Sequence, residues 1–356
     1  QAMLIQAWHY AAPNYPYTCY DVLYRTPRQH VGGCLWHSFD HQRGYHPDPF
    51  YGGLMDVFRQ PKYSYYMFQA QRSPKKQDRL FETGPMVYIA HEMTPFSPKD
   101  VTVYSNCDEV RLTYNKGGKS LTYTKPVSRE GMPSPIITFK DVYNFMIDKN
   151  MSMKEGRQKE VFLLAEGLIN GKVVATHKVC PARRPSKLLL WIDNENTELK
   201  ADGSDFVTVI AAIADKNGNI KRLNNYYVKF HIEGEGRILG GANVLANPAP
   251  VKWGTAPILV QSTLKPGKIK ITASVLFEGS QMPVSAELEL ESKPSAYPLI
   301  YASEEAALIP MKSDSQSFPI TAKSQKELEK EKAVKEQNER KLKEVEQQQA
   351  DFGEKK

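Results

Sequence analysis

Residues 32–63, GGCLWHSFDHQRGYHPDPFYGGLMDVFRQPKY, carry aromatic, histidine, aspartate and arginine side chains more densely than the sequence around them. Trp36 offers a flat apolar face and Asp40 a carboxylate, while His41, Arg43, His46 and Arg59 could give the segment a positive field. Guanidinium groups pair well with sulfate or carboxylate, so such a field would suit an anionic ligand. A crowded surface loop has the same composition: a core tryptophan, a loop-capping aspartate and solvated charge. Both readings stay open on these residues alone.

The elements that would position them follow from periodicity. MLIQAWHYAA suits a helix, HVGGCLW a buried strand, and KYSYYMFQAQRS a second helix, with Tyr63, Tyr66, Met67 and Ala70 at three-to-four-residue spacing. Helix, strand, loop and helix make the rhythm of an α/β barrel. From about residue 84 the texture becomes short strands, VTVYSN, VRLTYN and FLLAEGL, separated by turn signals such as NKGGK at 115–119 and Asn170-Gly171. The strands SKLLLWID, FVTVIAAIAD, VKFHIEG, ILVQSTL, IKITASVLF and AELELES repeat the pattern over 186–292. In IKITASVLF, residues Ile269, Ile271, Ala273, Val275 and Phe277 should point one way. Two consecutive β-sandwiches are expected, at 84–183 and 186–292, joined by the Pro-rich CPARRPSK. Residues 293–356 are a linker and a charged tail whose composition favours a solvated helix without a sustained heptad. Trp191 and Trp253 lie in strand patterns and read as core residues rather than exposed binding platforms.

Composition sets bounds. The chain of 356 residues is 41% hydrophobic and 24% charged, enough for two or three domains. Its net charge of +7 is scattered rather than gathered into a stripe, which disfavours nucleic acid. No run is long enough for a membrane helix, and no signal peptide is visible at the start. The chain begins without Met inside a helical pattern, so a fragment or processed product is expected. Four cysteines without CxxC spacing argue against zinc and against a disulfide framework. Cys34 reads as a buried small hydrophobe, and a bridge between Cys107 and Cys180 is left open.

With these segments in hand, the chain resembles the C-terminal part of glycoside hydrolase family 2, the β-galactosidase and β-glucuronidase family. The resemblance rests on GGCLWHSFD as an eighth barrel strand and GLMDVFRQPK at 53–62 as the return into the last helix. It continues in VTVYSNCDEVRLTYN and in the stretches LKADGSDFVTVIAAIADKNGNIK, GEGRILGGAN and GTAPILVQSTLKPGKIKITA. It implies a multidomain fold: the end of a (β/α)8 TIM barrel over 1–78, two immunoglobulin-like sandwiches and the charged helical tail.

It also implies a retaining glycosidase, which works with two carboxyl groups about 5–5.5 Å apart. In the family both are glutamates on earlier barrel strands, and here no Glu precedes Glu82. Asp21, Asp40, Asp48 and Asp56 occupy no family catalytic position. The parent is therefore expected to be an enzyme, most simply a β-galactosidase of plant or algal polysaccharide breakdown, and this segment alone inactive. Substrate-binding residues implied here are Trp36, Asp40, His41 and Arg43. Trp36 would face the mouth of the barrel, where such folds keep their sites, and its indole suits the C–H-rich face of a pyranose. His37 departs from an acidic residue of some members. Asp56 reads as a loop tie and Pro61 as the first residue of a helix. No cofactor or metal is implied. The partners are an oligosaccharide substrate and, left open, a second copy as a homodimer; the resemblance points to a periplasmic or extracellular bacterial location. A non-catalytic carbohydrate-binding or structural protein is the competing reading.

Overall fold

Ile269, Ile271, Ala273 and Val275 are all buried along one strand while the residues between them are not, the two-residue alternation of a half-buried strand. The computed structural model describes residues 2–11, 20–27, 29–44, 49–76, 83–126, 130–154, 156–193, 197–276 and 283–296. The charged tail, Cys19, His46, Asp48 and Phe277 lie outside them.

An N-terminal segment supplies helices α1 (Ala2–Ala11), α2 (Tyr20–Leu23) and α3 (Tyr63–Gln69). A first sandwich follows. Strands β1 (Val87–Ala90), β2 (Val101–Ser105) and β5 (Ile137–Phe139) make one antiparallel sheet, in that order. Strands β3 (Glu109–Tyr114), β4 (Ser120–Thr124), β6 (Leu163–Ile169) and β7 (Lys172–Val179) make the other, ordered β4-β3-β6-β7. The β6–β7 turn is Asn170-Gly171, both with positive φ, 51° and 72°, which is the backbone a two-residue type I′ hairpin requires. Helix α4 (Phe145–Met153) lies between β5 and β6, capped by Asn144 Oδ1, which accepts from the amides of Met146 and Ile147.

Past the joint at 180–186 the second sandwich contains β8 (Lys187–Asp193), β9 (Lys200–Ala201), β10 (Phe206–Ala214), β11 (Tyr227–Gly234) and β12 (Gly236–Ile238). It is completed by β13 (Ala249–Pro250), β14 (Thr255–Ser262), β15 (Gly267–Leu276) and β16 (Ala286–Pro294). Its sheets are ordered β12-β14-β10-β8 and β13-β11-β15-β16-β9. Each sandwich has its own apolar core, one around Val103, Leu112 and Leu163, the other around Val209, Ile258 and Ile271.

A third cluster seats the N-terminal helices on the first sandwich: Ala7 and Ala11 of α1 and Tyr63 and Met67 of α3 pack with Ala90 and Tyr104. Tyr66 stacks on Tyr88 with ring centroids 3.6 Å apart. One polar chain then runs through all three parts. Tyr63 OH donates to Glu92 at 3.0 Å, Arg222 Nε donates to the other Glu92 oxygen at 3.0 Å, and an Arg222 terminal nitrogen donates to the Trp253 carbonyl at 3.2 Å.

Several expectations are corrected. HVGGCLW forms no strand: Val31 is fully exposed, and Cys34, expected to be buried, is exposed. A strand needs neighbours to take its amides and carbonyls, and among the described residues no strand runs beside this segment. Trp253 is not a core strand residue but sits in a turn at φ 53°, 39% exposed. Pro61 precedes the helix by two residues rather than opening it, because Lys62 is the cap. Cys107 and Cys180 are free thiols, and burial raises the pKa of both.

Candidate functional site

The segment 50–62 is held by its own short ties. Asp56 accepts from the amides of Phe58 (2.8 Å) and Gln60 (2.9 Å) and from Gln60 Nε2 (2.9 Å), closing a turn in which Arg59 takes φ 66°. This is the loop tie expected for Asp56. Burial raises its carboxyl pKa, and the loop amides partly offset that.

Asp40 lies beneath this loop. Its Oδ1 accepts from the Gly53 amide at 2.9 Å and from Lys62 Nζ at 2.6 Å; Asp40 is buried and Lys62 largely so. Lys62 Nζ also donates to the Tyr51 carbonyl at 3.0 Å. Only glycine fits at 53, since a Cβ there would stand 2.2 Å from the Asp40 nitrogen and 2.5 Å from the Met55 oxygen. From α1, Gln6 Nε2 donates to the carbonyls of Tyr51 and Gly53, each at 3.0 Å, and Ser64 of α3 donates to Gln6 Oε1 at 2.9 Å. Two helices and one buried ion pair therefore set where the loop stands.

Above it runs a ladder of rings. Trp36 is 75% exposed and leans on His37 with centroids 3.9 Å apart; His37 meets His41 edge-on at 3.9 Å; His41 contacts Phe50 at 5.4 Å. The Arg43 guanidinium lies 5.1 Å from the Phe50 ring centre. Nδ1 of both His37 and His41 is buried without a hydrogen-bond partner. Desolvation, and then the neighbouring His41, lowers the His37 pKa.

The structure thus brings Trp36, His41 and Arg43 onto one surface and puts Asp40 underneath it. Sequence reasoning did not single out Gln6, Gly53, Lys62 and Phe50, which hold that surface in place. The Pro-Lys that ends the 53–62 motif was the available signal for Lys62. Chemically the surface offers one open indole face, two imidazoles and a guanidinium, the means to bind a ring with hydroxyl groups rather than to move protons between paired carboxylates.

Residues 190–276, from β8 to the end of β15, match the family described as glycoside hydrolase family 2 C-terminal domain 5. The chain is 32% identical over 273 residues to a β-galactosidase of Thermoanaerobacter pseudethanolicus, covering 74% of this chain and 34% of that protein. It is 28% identical over 261 residues to a Bacteroides ovatus β-galactosidase, covering 68% and 27%. It thus spans about a third or less of the length of these curated relatives. Its fold is shared with a Bacteroides vulgatus β-glycosidase, at a TM-score of 0.52 and 23% identity over 72% of this chain and 30% of the other. A family 2 β-glucuronidase structure gives a TM-score of 0.50 and 22% identity over 70% and 24%. The domain match, the curated relatives and the shared β-sandwich fold place this chain in glycoside hydrolase family 2, in the C-terminal part of its members.

Proposed function

We propose that this chain is the C-terminal portion of a retaining glycosidase, of β-galactosidase type and acting on plant or algal oligosaccharides. Residues 1–78 would complete its (β/α)8 barrel, and both catalytic glutamates would come from sequence N-terminal to the segment. The names of the relatives support the class of reaction, including a Formosa agariphila protein named a putative β-glucuronidase that is 31% identical over 231 residues.

The observation that carries the reading is the exposed Trp36 indole, backed by the ring ladder and seated on a loop held by Asp40 and Lys62. In this reading Trp36 stacks on the sugar, His41 and Arg43 form the rim, and Asp40 holds the loop from below. The carboxylates described in the N-terminal segment are already engaged: Asp21 with Arg25 and the Met132 amide, Asp40 with Lys62, Asp56 with its own turn. None stands as half of a free acid/base pair, which fits a supply of both catalytic groups from elsewhere.

The test is Trp36→Ala in the full-length enzyme. A stacking surface that tightens towards the oxocarbenium-like transition state is worth about 2–4 kcal/mol, so kcat/KM should fall roughly 30-fold to 1000-fold with the melting temperature nearly unchanged. A core tryptophan would instead cost about 3–5 kcal/mol of stability. A variant that keeps parental kcat/KM refutes the role of Trp36, and turnover by the present chain alone refutes the external catalytic pair.

A further inference from the structure

A second aromatic-lined cleft lies away from the ring ladder, where α1 and α3, the end of β1 and the second sandwich come together. Leu4, Tyr63, Glu92, Phe96, Leu223 and Trp253 line it, and it encloses about 200 Å³. We propose that this cleft is a non-catalytic sugar subsite that takes one neutral pyranose ring of a carbohydrate chain. The proposal goes beyond the reading of Trp36 and needs neither that residue nor catalysis.

Size comes first. Sites that enclose a drug-sized ligand run to roughly 300–1,000 Å³, so this cleft has room for one ring with the rest of the chain outside. Its walls match a pyranose. Phe96 is 74% exposed and Trp253 is exposed beside it, supplying aromatic faces for the apolar side of a sugar. Polar groups are interleaved. Thr94 and Ser97 line the cleft, with hydroxyls 3.0 Å from each other, and each keeps capacity for a further partner. Glu92 accepts from Tyr63 and Arg222, two of the roughly four acceptor sites a carboxylate has.

Charge selects the class of sugar. Glu92 and Arg222 form an ion pair, so neither offers a free charge. His91 accepts the Met93 amide on Nδ1 at 3.1 Å and has Nε2 2.9 Å from the Pro98 carbonyl, an arrangement only the neutral ring satisfies. Among the described residues of the lining none offers a free positive charge to a carboxylate or sulfate, which points to a neutral ring rather than a uronic or sulfated one.

The backbone presents Trp253 at a cost. Trp253 in the lining has a positive φ of 53°, and so does Met93, between the lining residues Glu92 and Thr94, at 50°, a region non-glycine residues seldom occupy outside constrained sites. The Trp253 turn is pinned by the Arg222 contact to its carbonyl and by Gly254, where a Cβ would meet Ile220 at 2.7 Å and the Lys221 oxygen at 2.9 Å.

The chain has four tryptophans, so four indole N–H signals report on it in a ¹H–¹⁵N spectrum, with Trp253→Phe identifying the one needed. On titration with a neutral galactotriose, the Trp253 signal of the whole 356-residue chain should move saturably. Phe96→Ala should weaken that binding about tenfold, equivalent to ~1.4 kcal/mol, and Phe96→Tyr should restore it. Because Phe96 is exposed, its truncation spares the cores, which an unchanged melting curve checks. Trp36→Ala should leave the titration as it was, which separates this subsite from the first surface. A Trp253 signal unmoved at the highest soluble sugar concentration overturns the proposal. So does a titration unaffected by Phe96→Ala, one abolished by Trp36→Ala, or tighter binding of a sulfated galactotriose.

Discussion

Glu92 stands between Tyr63 and Arg222, accepting from one on each carboxylate oxygen at 3.0 Å, so a single side chain after β1 links α3 to the second sandwich. Both members of its ion pair are largely buried. Arg222→Ala leaves Glu92 with an uncompensated charge and should cost about 1–3 kcal/mol of unfolding free energy. A double-mutant cycle with Glu92→Gln should show coupling of about 0.5–3 kcal/mol by urea denaturation. Additive effects would mean that the pair contributes nothing of its own.

The loop that carries the ring ladder depends on Asp40 and Lys62. Removing one partner of a buried pair costs about 3–5 kcal/mol, because the other charge is left behind. Lys62→Met should therefore lower the melting temperature and raise hydrogen exchange at the Gly53 amide. Gly53→Ala should be at least as damaging locally, since the atoms in its way are backbone and cannot rotate aside. Unchanged protection at Gly53 in Lys62→Met would count against this account of the loop.

His91 and His177 each accept a backbone amide on Nδ1, from Met93 and Ile89 respectively, both at 3.1 Å. Burial, the largest cause, lowers the pKa of both below the ordinary 6.5. A histidine with a depressed pKa contributes stability that is present above the unfolded value and is lost as pH falls through the folded one. Stability should thus decline on acidification below about pH 6.5, the ordinary histidine value. Both rings should remain neutral by NMR at pH values where an exposed histidine is already charged. Titration of either at its ordinary value would contradict the assignment.

Asp148 of α4 behaves in the opposite sense. It is buried, accepts from Tyr114 OH, and keeps its second oxygen unpartnered; desolvation raises its pKa despite the help of Tyr114 and Arg183. A carboxyl with a raised folded pKa stabilises while protonated and loses that contribution as pH climbs through the folded pKa. Asp148→Asn keeps an acceptor for Tyr114 without the charge. It should melt above the parent at neutral pH, and the gap should close on acidification. A gap independent of pH would rule out the carboxyl as its source.

The strands were readable because their information is local. Alternation of four buried residues in β15 and a two-residue Asn-Gly turn need no knowledge of the rest of the chain. The pairs that build the sites are not local: Asp40 and Lys62 are 22 residues apart, Glu92 and Arg222 are 130 apart, and only the fold brings them together. Trp253 misleads for another reason. Its apolar neighbours suggest a strand, but Gly254 beside it has φ 85° and lets the chain turn there, so the indole leaves the core. The segment HVGGCLW has the pattern of a buried strand, and that pattern states what the segment needs without providing the neighbours that would satisfy it.

That segment also bears on how the chain behaves as a material. Residues 31–36 combine a fully exposed valine, an exposed tryptophan and a free exposed thiol at Cys34, on backbone that no strand among the described residues covers. Uncovered apolar strand sequence is a template for pairing with another molecule, and an accessible thiol can lock such a pair as a disulfide between chains. Concentrated solutions of this chain should cross-link under air and stay clear in reductant, and Cys34→Ser with a lysine in place of Val31 should keep them dispersed in both.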